Sequence, residues 1–231
     1  MPNLRIVCLA NSRKLGGRCI AGLRLDGGGW VRPVSSLADG TIYPAQYTLH
    51  DGSIPQLLDI VERGLEVPRP AVHQQENWLV DGTLWRLIRR PGTEEEINVI
   101  WEHVIEDLLL FGNSWDRVHE NEDVNCSLAV VRVRDLRWRI TTSYMGKRQT
   151  RSLFTFGNIQ YDLVVTDCII EQNLSSLDYG IHPVKSEPGY TPYQEVLLTI
   201  SLGEPLKGYC YKLVAGVIPL SRSRQNLGSL L

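Results

Sequence analysis

The strongest constraint on the fold is a period of two that ends in a glycine turn. Between residues 18 and 25, Cys19, Ala21, Leu23 and Leu25 alternate with Arg18, Ile20, Gly22 and Arg24, and that spacing sends successive side chains to opposite faces of a strand. Asp26-Gly27-Gly28-Gly29 supplies the positive φ of a tight hairpin, and Trp30-Val31-Arg32-Pro33-Val34 returns as the partner strand until proline ends the ladder. With the β-rich run over residues 4–10, these segments predict a three-stranded meander. Leu57-Leu58-Asp59-Ile60-Val61 and Glu76-Asn77-Trp78-Leu79-Val80 read as further strands, with a break at Pro68-Arg69-Pro70 between them.

The second half repeats the pattern. Residues 128–133 and 136–142 alternate, Gly146-Lys147-Arg148 turns, and residues 151–156 lead through Gly157-Asn158 into 159–165. Residues 196–201 and 209–218 read as closing strands, and 173–192, rich in Ser, Gly and Pro, as a long loop with a helical turn near Ser175. Between the halves the period changes. Thr93 is placed to cap, Glu94 to Glu96 suit the positive end of a helix dipole, and Ile97, Ile100, Trp101, Val104, Ile105 and Leu108 fall at helical spacing. Phe111 to Ser114 stop that helix, and Trp115 to Val118 with the acidic stretch to Asn125 complete a connector. The expected architecture is mainly β with minor α: two small closed barrels, residues 1–92 and 126–231, joined by a helical acidic connector over 93–125.

At 231 residues there is chain enough for two such cores, and 43% hydrophobic with 22% charged residues suits neither disorder nor a membrane class. The longest apolar runs, Leu163 to Val165 and Val214 to Ile218, fall far short of a bilayer span, and residues 1–10 lack a secretory core. No membrane partner is expected. The five cysteines are scattered in apolar stretches without a Cys-x-x-Cys pair, which reads as reduced core thiols in a cytoplasmic protein. Five scattered histidines offer no ligand spacing, so neither a metal nor a cofactor is expected.

The net charge of −2 conceals a segregation. Residues 4–33 carry six bases against Asp26, residues 132–151 carry seven against Asp135, and the compensating acids gather between Glu94 and Asp123.

Ile6 to Lys14, Gly16 to Gly22 and Trp30 to Ser35, together with Gln75-Glu76-Asn77-Trp78 and Tyr161 to Asp167, resemble the prokaryotic dual OB-containing domain family over nearly the whole chain. The resemblance implies two OB-type barrels, a nucleic-acid or nucleotide ligand, and a setting in bacterial conflict or defence loci. It carries no reaction and no catalytic residues.

Three groups of residues are candidate contacts. In Asn11 to Arg18, backbone N–H groups freed by Gly16 and Gly17 are placed to cradle an anion beside Arg13, Lys14 and Arg18; the alternative is a glycine hairpin with solvated charges. Trp30 and Arg32 share a strand face on which an indole stacks a base and a guanidinium holds phosphate; otherwise Trp30 packs inward and Arg32 pairs with an acid. Arg132 and Arg134, then Arg137 and Arg139, repeat at period two and continue into Lys147, Arg148 and Arg151 as an electrostatic track, unless they simply balance the acidic connector. Trp138 is expected to point inward.

The leading expectation is a module that binds single-stranded DNA or RNA, or a nucleotide, and serves as the recognition subunit of an effector. The alternatives are a nucleotide- or nucleic-acid-modifying enzyme, with Asp116, Lys14 or Glu76 in a cleft between the barrels, and a protein-interaction scaffold.

Overall fold

The run Ile6-Val7-Cys8-Leu9-Ala10 is apolar on both faces of its strand, which requires that both faces be covered. The computed structural model, which describes residues 3–184 and 195–220, shows how. Strand β1 (Asn3–Lys14) turns Leu4, Ile6 and Cys8 into a barrel with Ile20, Val31, Val61 and the fully buried Trp85. Its other face, Val7 and Leu9, meets a second barrel.

The first barrel follows β1 with β2 (Gly17–Arg24), β3 (Trp30–Val34), the short helix α1 (Pro44–Tyr47), β4 (Ile60–Pro68), β5 (Asn77–Val80) and β6 (Arg86–Arg89). The pairing order β1-β2-β3-β5-β4 closes back from β4 to β1, with β3 and β5 parallel. Strand β1 closes the ring by pairing β4 through residues 3–7 and β2 through residues 6–14, with a bulge between Cys8 and Ala10 where it bends.

The helix expected from Thr93 is much shorter than its spacing predicts. Thr93 does cap: its Oγ1 accepts from the Glu96 N–H at 3.3 Å and the Glu96 carboxylate accepts from the Thr93 N–H at 2.8 Å. Helix α2 nevertheless ends after five residues (Glu94–Asn98), gives one 3-10 turn at Trp101–His103, and becomes extended at Val104. The β-branched Val99, Ile100, Val104 and Ile105 disfavour a continuing helix, and an extended chain lets the Ile105 N–H donate to the Val130 carbonyl at 2.9 Å. Ile97 and Ile100 are buried in the seam between the barrels.

Residues assigned to the connector instead open the second sheet as β7 (Arg117–His119). It continues with β8 (Leu128–Val133), β9 (Arg137–Thr142), β10 (Arg148–Phe156), β11 (Ile159–Val165), α3 (Cys168–Asn173), β12 (Gly180–Pro183), β13 (Glu195–Leu206) and β14 (Tyr209–Leu220). The path β9-β10-β11-β14-β13-β8, with β11 and β14 parallel, repeats the order of the first barrel. Here the first strand is broken at Arg134–Leu136, so that β8 pairs β13 and β9 pairs β10. Its core holds Trp138, facing inward, with Val131, Phe154, Tyr161, Leu198 and Val214. The segment expected as a loop after residue 173 contains β12, paired along β9, and the turn near Ser175 continues α3, a helix capped at its start by Asp167 through the N–H groups of Ile169 and Ile170. Residues 185–192 of that loop lie outside the described residues.

The barrels share a continuous apolar seam: Val7, Leu9, Leu23 and Ile60 pack against Val130, Leu197, Ile218 and Leu220. A Cβ at Gly216 of β14 would collide with the Leu9 carbonyl, so glycine there permits the two sheets to approach closely. Among the described residues no helix is long and apolar enough to cross a membrane.

Candidate nucleic-acid interface

In OB barrels the outer face of strands two and three, with the loops between strands one and two and between four and five, takes the ligand. In the first barrel that face is sealed. Ala21 and Leu23 are buried beneath residues of the second barrel, and Trp30 is half-buried between the same clusters. Arg32 is 1% exposed; its guanidinium donates to Ser127 Oγ at 2.8 Å and Ser201 Oγ at 3.1 Å, and lies 3.1 Å from Glu76 Oε1. Ser127 also donates to Glu76. The β4–β5 loop is engaged as well, through the Gln74 side chain donating to the Leu202 carbonyl at 3.4 Å and His73 lying 3.2 Å from the His119 carbonyl. The expected accessible pair of Trp30 and Arg32 is therefore corrected: the second barrel covers both, and the strand periodicity that aligned them says nothing about what lies above.

The Asn11–Arg18 hairpin forms as expected, with Gly16 at φ +84° in its turn and Gly17 packed under Thr41 and Ile42. Its cations reach the other barrel: Arg13 pairs with Glu171 at 2.6 Å and Lys14 with Glu204 at 2.6 Å. The Arg13 and Arg18 N–H groups donate to the carbonyls of Thr166 and Ile42, at 2.9 and 2.8 Å. The hairpin clamps the barrels together.

The equivalent face of the second barrel is open. Register sets Arg139 opposite Arg151 and Arg137 opposite Leu153, with alternate residues turned outward. Arg139 and Arg151 both reach Asp162 of β11, so two guanidinium groups share one carboxylate. Arg137 is exposed, and none of the ion pairs among the described residues includes it. At the β9–β10 turn Lys147 is exposed, Tyr144 is 90% exposed, and Arg148 donates to the carbonyls of Leu174 and Leu177 at 3.1 and 2.6 Å while lying 5.5 Å from the Tyr179 ring. Tyr144 and Tyr179 were not among the residues expected from sequence; the Gly146 turn was legible, but not the docking of β12 that brings Tyr179 beside it.

A family model described as the dual OB-containing domain matches residues 4–217. The chain belongs to the dual OB-containing domain family. No curated protein and no solved structure matched it.

In this dual OB chain the remaining arginines lie at the β8–β9 break. Arg132 and Arg134 share Glu195, and Arg132 also lies 5.8 Å from the Trp101 ring, beside a groove of about 550 Å³. Burial works to raise the Glu195 carboxyl, but hydrogen bonds from the two arginines hold it below the usual range. The catalytic candidates do not converge: Glu76 is buried on Arg32, Lys14 is paired to Glu204, and Asp116 lies beside Arg117 at 3.9 Å. Among the described residues no cluster of His, Cys, Asp and Glu is arranged to hold a metal ion. Burial pushes the Lys212 ammonium down to about 8, against three acceptors, the Leu110 carbonyl at 2.6 Å and the Asn113 carbonyl and Oδ1 at 2.9 Å.

Proposed function

We propose that the protein is a nucleic-acid-binding module for single-stranded DNA or RNA, or a nucleotide, and that the outer face of its second barrel makes the contact. The observation that carries this reading is the outer face of β9, β10 and β11, where Arg139 and Arg151 share the one carboxylate of Asp162, Arg137 stands exposed outside the ion pairs of the described residues, and Lys147 and Arg148 extend the charge to the turn. A surplus of cations on a twisted sheet suits a phosphate backbone, since each neutralised phosphate releases counterions. In this reading Arg132 and Arg134 extend the track, whereas Arg13 and Lys14 form the clamp, Gly16, Gly17 and Arg18 complete the hairpin that carries them, and Trp30 and Arg32 lie at the seam. Service as a recognition subunit for an effector in a bacterial, cytoplasmic defence system rests on the family resemblance alone.

The test is a fluorescence titration of a labelled single-stranded oligonucleotide across salt. Affinity is expected to fall with a log–log slope of about −0.7 per phosphate contacted. Absence of binding at low salt overturns the reading.

A further inference from the structure

The basic face of the second barrel is bordered by exposed rings. At the β9–β10 turn Tyr144 is 90% and Met145 64% exposed, and alongside it β12 brings Tyr179 and Ile181, 62% and 56% exposed. Ile181 stands directly opposite Arg139 in the β9–β12 ladder and so shares its outer side, while Tyr179 lies just before the ladder begins at Gly180. Four large apolar side chains at one edge of a sheet exceed the scattered single residues that any surface carries.

Tyr179 is held in place. Arg148 donates to the Leu174 and Leu177 carbonyls, and its Cζ lies 5.5 Å from the Tyr179 ring centroid, so the ring rests on a guanidinium that is itself pinned. A ring set beforehand loses little freedom when a flat group stacks on its open side.

The charge around the rings decides which flat group fits. Arg137, Arg139, Lys147, Arg148 and Arg151 stand against Asp135, Asp162 and Asp178. Asp162 is already shared by Arg139 and Arg151, and Asp135 accepts from the Thr155 N–H and hydroxyl. Cations outnumber carboxylates, so the flat group is one tethered to negative charge. A single strand supplies both, phosphates for the arginines and unpaired bases for the rings. A duplex keeps its bases stacked on one another and offers such a face mainly phosphate and sugar.

We infer that Tyr144 and Tyr179 form a base-stacking platform, and that the ligand of this face is a single strand whose unpaired bases lie on the two rings while its phosphates follow Arg137, Arg139 and Arg151. The inference rests on the nucleic-acid reading of the face and adds base contact to it. Strand β12 stands outside the strand order that the two barrels share, so Tyr179 comes from an addition to the OB plan.

The full chain is titrated, by fluorescence anisotropy, with a labelled oligothymidylate of about eight nucleotides, within the length one OB barrel occupies, and with an abasic strand of equal length and charge. Oligothymidylate is expected to bind about tenfold more tightly, the scale of one stacked base. Tyr144→Ala combined with Tyr179→Ala is expected to bring it to the abasic affinity and to leave abasic binding and the urea midpoint unchanged. Tyr144→Phe with Tyr179→Phe, which keeps both rings, is expected to retain the preference. Equal binding of the two strands to the parent protein overturns the inference and leaves the nucleic-acid reading standing, whereas failure of both to bind overturns the two together. A preference that survives in the alanine variant, or disappears in the phenylalanine variant, also overturns the platform.

Discussion

The two barrels share one strand order, yet their corresponding outer faces meet different fates. In the first, the face of β2 and β3 carries Ala21, Leu23, Trp30 and Arg32 and is covered by the second barrel; in the second, the face of β10 and its neighbours carries Arg139, Arg151, Gln149 and Arg137 and is open. The difference teaches that an arginine on an OB face is not evidence of a ligand until its surroundings are known. Arg32 is held by the carboxylate of Glu76 in its own barrel and by two serines across the seam, while Arg139 and Arg151 must share a single acid. One barrel's outer face builds the seam between the two, and the other's carries the outward arginines of β9 and β10.

The largest expected effect breaks the sealed side. Arg32→Ala leaves Glu76 buried without its cation and should cost about 3–5 kcal/mol, read as a fall in the urea midpoint. A loss below about 1 kcal/mol would show that the seam does not depend on this pair. Lys212, inside the second barrel, gives a pH signature. Its folded pKa of about 8 lies below the ordinary 10.5 of a free lysine, so between those values the unfolded chain binds more protons and stability should rise with pH. The gain is expected to be about 2 kcal/mol, and chemical denaturation from pH 7.5 to 10 measures it; a flat profile would mean that the three oxygen acceptors restore the ammonium fully.

On the open side, Arg137→Glu with Lys147→Glu should weaken oligonucleotide binding about tenfold and flatten the salt slope by roughly two phosphates, with stability changed by less than about 0.5 kcal/mol. The same reversal with no change in slope would move the ligand off this face. The smallest effect belongs to the clamp. Arg13→Ala removes an exposed pair with Glu171 and should cost about 0–1 kcal/mol, with oligonucleotide affinity unchanged. A tenfold loss of affinity there would return the Asn11–Arg18 hairpin to the binding surface.

Much of this molecule was legible in the chain, because strand alternation and glycine turns are local. Cys19 to Arg24, the turn before Trp30, and the inward Trp138 all follow from side chains that sit two residues apart and must alternate. The Thr93 capping box was equally local, and it formed. The helix beyond it did not, because the chain between Val99 and Ile105 follows the seam and pairs with Val130 rather than its own periodicity.

Sequence by itself determined the two barrels and the clustering of cations, since both depend on neighbours in the chain. Which cations face water was decided only by the docking of one barrel on the other. Arg32 and Arg137 each lie on an alternating strand beside a tryptophan-bearing face, and nothing within a few residues distinguishes them. The distinction comes from Ser127 and Ser201, brought to Arg32 from 95 and 169 positions away by apolar contact between sheets, and from Glu76, 44 positions away, set beside it by the pairing of β3 with β5. Burial of Leu23, Leu197 and Ile218 drives that contact, and the charges are sorted as its consequence.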